Sequence, residues 1–168
     1  VTGADIVISS LADDASVESV AFGPTGMLQG LGRGCIHVGA STISPDLADR
    51  LALAHKNHGA HYVSGPVLGR VPAAEAAQLV TFVAGDSAAI ETARPVIASY
   101  APVILPAGER AGLASTAKLI ANFLGVAAMD LIGQSMAFAE RSGVAPDLVR
   151  LMLFGLFARI THRTTHTG

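Results

Sequence analysis

The stretch over residues 108–143, GERAGLASTAKLIANFLGVAAMDLIGQSMAFAERSG, constrains this chain more than any other. It reads as one long helix between glycines. Most of its residues are apolar or small, so the pattern predicts burial against another surface. Lys118 and Asn122 interrupt it near its start. Their four-residue spacing puts both side chains on one helical face, one turn apart. A lysine in a dry pocket has its pKa lowered, because burial disfavours the charged form. It can then exchange a proton with a reacting oxygen near neutral pH, while Asn122 holds the same oxygen or fixes the ammonium. The alternative is a lysine whose stem covers apolar surface and whose head reaches water. Spacing alone favours that alternative.

The 168-residue length suits one domain, or one domain with an appendage. With 51% hydrophobic and 14% charged residues, the chain can bury a core and is not disordered. A net charge of -2, no basic patch and 5% aromatic residues argue against nucleic-acid binding. Cys35 stands alone, which excludes a disulfide framework and a thiolate zinc set and fits a cytoplasmic location. Residues 1–11 form a short apolar run interrupted by Asp5, unlike a signal peptide. The apolar run 119–133 is broken by Asn122 and Asp130, and reads as too short and too polar for a membrane span. A chain that opens directly on a core strand, without an initiator methionine, is expected to be a fragment of a longer one.

In order, residues 4–11 read as a buried parallel strand. Asp13 or Asp14 caps a helix through Val17, Val20 and Ala21. Gly30, Gly32 and Gly34 are read as a loop, because they precede a strand where a dinucleotide fingerprint must follow one and open a helix. Residues 35–39 are a short strand. Ser44 and Pro45 then supply an N-cap and first helical residue for a helix to about His58. Ser41 and Thr42 thus lie at the carboxyl end of a strand, where open α/β sheets bind ligands. His55, His58 and His61 have ligand-like spacing, but they sit at a polar helix end without an acidic partner in register, so no metal site is assigned. Strands are expected over 62–67, 78–84 and 103–105, a connection over 71–77, a helix over 86–98 and a loop over 106–108. Pro146 and Asp147 open a last helix, with a frayed tail over 161–168. Alternating strands and helices give an α/β fold with a mostly parallel sheet.

Five segments in this order resemble the β-hydroxyacid dehydrogenases, the 6-phosphogluconate dehydrogenase-like group that contains 3-hydroxyisobutyrate dehydrogenase and tartronate semialdehyde reductase. They are ADIVISSLADD, VGASTISP, YVSGPVLGR, GLASTAKLIANFL and AFAERSGVAPD. The resemblance implies the C-terminal half of a Rossmann-like NAD(P)-binding domain over 1–107, then a long interdomain helix and the start of a helical domain over 108–168. It implies that Lys118 is the catalytic lysine, relaying the substrate hydroxyl proton during hydride transfer, and that Asn122 holds substrate. Leu11, Ala12, Ser16 and Thr42 match cofactor contacts. Ser41 and Gly69 match substrate contacts, the glycine through backbone amides that suit a carboxylate. The implied cofactor is NAD or NADP, and the implied partners are a small-molecule substrate and a second copy in a homodimer or higher homo-oligomer.

The chain also departs from the family pattern. The aspartate before the Ser-Thr pair is Gly39, the serine of the PVsGG turn is Leu68, its second glycine is Arg70, and Gln134 replaces a glutamate. An arginine at position 70 either binds a carboxylate or phosphate directly or points to solvent. Leu68 makes the pocket more apolar. Imine reductases share the architecture but usually replace the lysine, so Lys118 argues against them while Leu68 keeps them open. The phosphate-binding GxGxxG unit and the coenzyme selector are not in this sequence, so tight cofactor binding by this chain alone is not expected. The competing expectation is a catalytically silent remnant or assembly module. In that reading Ala114, Ala117, Ala121, Gly125 and Ala128 permit tight helix packing.

Overall fold

The computed structural model describes residues 1–163, in two compact units, Val1–Ala121 and the residues from Asn122 onward. The first unit carries six strands, β1 (Ile6–Ser9), β2 (Ile36–Gly39), β3 (His61–Ser64), β4 (Val67–Leu68), β5 (Val80–Gly85) and β6 (Val103–Gly108). They form one sheet in the order β1-β2-β3-β5-β4, with β6 on the other edge of β5. β1, β2 and β3 run parallel, and so do β5 and β6. β5 is antiparallel to β3 and β4. The sheet is therefore mostly parallel, as expected, with one reversal at its centre.

That reversal has a local cause. The expected single strand over 62–67 is broken at Gly65 and Pro66 into β3 and β4, which share one edge of β5. Proline has no N–H to give a ladder. The buried Thr81 hydroxyl instead donates to the carbonyls at the break, lying 3.0 Å from that of Gly65 and 3.2 Å from that of Pro66. The connection expected over 71–77 contains a short helix, α4 (Val71–Glu75), too short to carry the chain back for a parallel crossover. At the other edge, the loop expected over 106–108 is strand. Parallel pairing with β5 carries β6 to Gly108 through an irregularity beside Val83 and Ala84.

Helices cover both faces. α5 (Ser87–Ala98) packs Ala89, Ile90, Ala93 and Ile97 against Ile36, Val38, Val63 and Val83. On the opposite face α1 (Asp14–Phe22) and α3 (Pro45–His58) bring Val17, Ala21, Leu47, Ala48 and Leu51 onto Tyr62 and Ala111. β2 is buried on both sides, so Ile36 and Val38 face α5 while His37 and Gly39 face α3. Asp13, Ser44 and Asp86 cap α1, α3 and α5 by accepting from Ser16, Leu47 and Ala89 amides; such a cap stabilises by about 1 kcal/mol. Short α2 (Met27–Gly30) was not expected from the sequence. Gly30 closes it and Gly34 turns the following loop with φ 78°.

Helix α6 (Gly112–Arg141) starts four residues later than the glycine-bounded pattern suggested. Its first turns are buried at Ala114, Ser115 and Lys118. The expectation that the whole stretch is buried fails beyond that point. Phe123, Leu124, Val126, Met129, Leu131 and Phe138 are exposed, and no atom of the described chain lies near the Cβ position of Gly125 or Gly133. An apolar sequence demands a partner surface, and these side chains remain exposed among the described residues. The second unit closes around Ala139, where Gly143 adopts φ 70° and the Val144 amide returns to the Ala139 carbonyl before α7 (Pro146–Arg163). The frayed tail expected over 161–168 is helical to Arg163, and 164–168 lie outside the described residues. α6 is also longer than the run read as too short for a membrane. Its mean hydropathy reaches 1.4, so by length and composition it qualifies as a span. One such helix does not establish a span, because length and composition do not tell lipid from a protein partner.

Candidate functional site

The carboxyl ends of β1, β2 and β3 come together through backbone bonds: Ala40 donates to the Ser9 carbonyl and Gly65 to that of Gly39, both at 2.8 Å. The loops that follow are tied by a side chain. The buried Ser41 hydroxyl accepts from the Leu11 amide at 2.7 Å. Its own proton remains available to a second acceptor. Ala12 and Thr42 flank this tie and are exposed. Asp14 clamps the next turn, accepting from the Ser44 amide at 3.0 Å and from its hydroxyl at 2.5 Å, which locks α1 to the start of α3. The Ser16 amide is spent on the Asp13 cap at 2.8 Å, and that bond holds the Asp13 carboxyl below its usual range.

Lys118 is 7% exposed and makes no hydrogen bond or ion pair among the described residues. Burial alone pulls its pKa below the ordinary lysine value, with no charged neighbour contributing. One turn earlier on the same face, the Ser115 hydroxyl is fully buried and has no partner. Asp49 of α3 places this part of α6. One carboxylate oxygen accepts from the Gly112 amide and the other from Arg110, each at 2.7 Å. The fit is close: a Cβ on Gly112 would lie 2.9 Å from both the Pro45 carbonyl oxygen and the Asp49 carboxylate. A carboxylate at a helix N-terminus is stabilised by the helix dipole.

The other expected contacts are more scattered. Gly69 ends β4 with φ 141°, and a side chain there would meet Leu79 at 2.5 Å and Ala73 at 3.2 Å, so packing as well as backbone conformation requires glycine. Arg70 is exposed at the start of α4 and is in no ion pair among the described residues. Leu68 is half-buried in β4. Asn122 belongs to the second unit and is exposed. Gly39, where the family pattern has an aspartate, leaves no room for any side chain: its Cβ would fall onto the Tyr62 hydroxyl and 2.9 Å from the ring carbon bearing it. The three histidines considered as ligands point to different partners. His55 bonds His37 and the Leu51 carbonyl, His58 bonds the Leu31 carbonyl at 3.1 Å, and His61 is exposed.

Sequence reasoning missed a buried relay on the α3 face of the sheet. Ser9 Oγ lies 2.7 Å from His37 Nε2, His37 Nδ1 lies 3.0 Å from His55 Nε2, and His55 Nδ1 lies 2.7 Å from the Leu51 carbonyl. A carbonyl only accepts, so His55 Nδ1 donates and its Nε2 accepts. His37 Nδ1 must then donate, and Ser9 donates to His37 Nε2. Every bond is satisfied with both rings neutral. Tyr62 stacks edge-on to His37 at 5.1 Å. Desolvation drives His37 down to about 3, with His55 adding a smaller push, and lowers His55 as well. The sequence carried no signal for this pair, because the partners are 18 and 28 residues apart.

Residues 1–108 match the model of the NAD-binding domain of 6-phosphogluconate dehydrogenase. The chain belongs to that family. It is 40% identical to the uncharacterized oxidoreductase YfjR of Bacillus subtilis over 84% of this chain and 49% of the relative. It superposes on Mycobacterium tuberculosis 3-hydroxyisobutyrate dehydrogenase, solved with L-serine, with a TM-score of 0.84 and 30% identity, covering 92% of this chain and 52% of that one. An imine reductase of Streptomyces aurantiacus, 23% identical with a TM-score of 0.80 over 98% of this chain and 58% of that one, shares the fold. The chain thus spans about half the length of the relatives it matches.

Proposed function

We propose that this chain is part of an NAD(P)-dependent oxidoreductase that interconverts a small hydroxy acid and its semialdehyde or keto counterpart. The observation that carries the reading is Lys118: buried, unpaired, and held below the usual lysine pKa by burial alone. Such an amine gives a proton to the carbonyl oxygen during reduction and takes it from the hydroxyl during oxidation. A nicotinamide, when bound, supplies or accepts the hydride. In this reading Ser41, Gly69, Arg70 and Asn122 hold substrate, and Leu11, Ala12, Ser16 and Thr42 meet the cofactor.

The loops fit only part of that cofactor. Ala12, Ser41 and Thr42 offer small neutral groups suited to a ribose or nicotinamide. The α1 N-terminus does not suit a phosphate, because Asp13 already occupies its amide and Asp14 adds a second carboxylate. No pyrophosphate site is therefore assigned to the α1 N-terminus. The functional division is drawn at 107/108, with the exposed apolar part of α6 as the surface of a homodimer or higher homo-oligomer, in a cytoplasmic protein. The imine-reductase reading keeps one supporting observation, the apolar Leu68, and Lys118 weighs against it.

The test is fluorescence titration of the chain with NADH and NADPH, together with reductase assays on small semialdehydes using wild type and Lys118→Ala. Saturable binding with Lys118-dependent turnover is the expected result for an active oxidoreductase. Turnover unchanged in Lys118→Ala would sink the role assigned to this lysine. No binding at millimolar cofactor would identify a catalytically silent module.

A further inference from the structure

Buried hydroxyls seldom go without a hydrogen-bond partner. Ser115 is fully buried on the first turns of α6, and among the described residues its Oγ has none. It does not use the common escape of a helical serine, a bond back to the carbonyl four residues earlier; neighbouring Thr116 does, at 2.9 Å to the Gly112 carbonyl. Three residues on, Lys118 also has no partner. Residues three apart share a helical face, and long side chains on a helix lean back over the preceding turn. The lysine amine thus has the Ser115 oxygen within the sweep of its own stem.

The two unpaired groups are complementary. A neutral amine in a dry site tolerates the lack of an acceptor. An ammonium brings three N–H donors and needs acceptors. No carboxylate contributes to the environment of Lys118, since desolvation is the whole cause of its perturbation. We propose that Ser115 is a positioning residue for Lys118: its unpartnered hydroxyl accepts a hydrogen bond from the Lys118 ammonium and holds the proton-bearing amine in the buried site. This rests on the reading of Lys118 as the proton relay and names the group that makes its acid form tenable. In the described arrangement neither group has a partner among the described residues, and rotation of the lysine stem is what would bring the ammonium onto Ser115 Oγ.

The chain contains only two lysines, and Lys56 is exposed, so the experiment has an internal control. The Cε resonances of both lysines, labelled with carbon-13 in the full chain and assigned with Lys56→Arg, are followed against pH. In wild type, Lys118 is expected to titrate below the ordinary lysine value of 10.5. In Ser115→Ala it is expected to fall further, by about 1 pKa unit, because a hydrogen bond to the charged form is lost. Ser115→Thr, which keeps the hydroxyl, restores the wild-type value, and Ser115→Cys, of similar size but a weak acceptor, behaves as alanine does. If Lys118 is depressed in wild type but unmoved in both Ser115→Ala and Ser115→Cys, the inference is overturned while the lysine relay stands. If wild-type Lys118 titrates at the ordinary lysine value, the relay reading falls and takes this role with it.

Discussion

Acid should loosen this fold through His37 before most carboxylates titrate. In the folded chain His37 is held at about 3 against 6.5 for the free side chain, mainly by desolvation. Between those values the unfolded chain binds the extra proton, so stability rises with pH. The contribution is complete above pH 6.5 and is lost as pH falls from 6.5 towards 3. A proton difference of one changes stability by about 1.4 kcal/mol per pH unit, so lowering the pH from 7.5 to 4.5 removes about 2–3 kcal/mol through this residue. His55, also depressed, adds in the same direction. The perturbation that isolates the effect is His37→Asn, whose amide can still donate towards His55 Nε2 but does not titrate. Urea unfolding is measured for both proteins at pH 7.5, 6.5, 5.5 and 4.5. The wild-type advantage is expected to shrink by about 2–3 kcal/mol across the series. A difference that stays constant to within about 0.5 kcal/mol would refute the neutral, fully satisfied relay.

Three further outcomes follow from close packing and exposure. Gly112→Ala forces a methyl against the Pro45 carbonyl and the Asp49 carboxylate, and should lower the urea-unfolding free energy by about 1–3 kcal/mol; an unchanged midpoint would contradict the docking of α6 on α3. Gly39→Ala meets the Tyr62 ring, so its cost, again about 1–3 kcal/mol, should shrink in a Tyr62→Leu background, as a double-mutant cycle would show. Replacing Phe123 and Leu131, both exposed on α6, by glutamate should reduce self-association in sedimentation velocity without altering the unfolding midpoint of the first unit. Equal sedimentation of variant and wild type would remove α6 as the assembly surface.

The contrast between Ser44 and Ser115 shows where sequence reading reaches its limit. Ser44 followed by Pro45 announces a helix start by local chemistry, and the cap forms as expected. Asp86 acts likewise for α5. The lysine inside the apolar pattern of α6 singled itself out because burying a charge there needs a reason. Ser115, three residues away, looked like any small helical residue. Its significance lies in having no partner, which only the packed structure reveals.

By itself the sequence determined the α/β class, most helix boundaries, the placing of Ser41 and Thr42 at a strand end, and the candidate lysine. These depend on periodicity, caps and turns, interactions that span a few residues. Tertiary structure decided the rest: the reversal at β3 and β5, the Ser9–His37–His55 relay, the space above Gly39 taken by Tyr62, and the hold of Asp49 on Gly112 across 63 residues. It also decided that the start of α6 is buried where α3 meets it at Gly112. Hydrophobicity along a chain says that a surface seeks cover, while the cover itself comes from whichever elements fold against it.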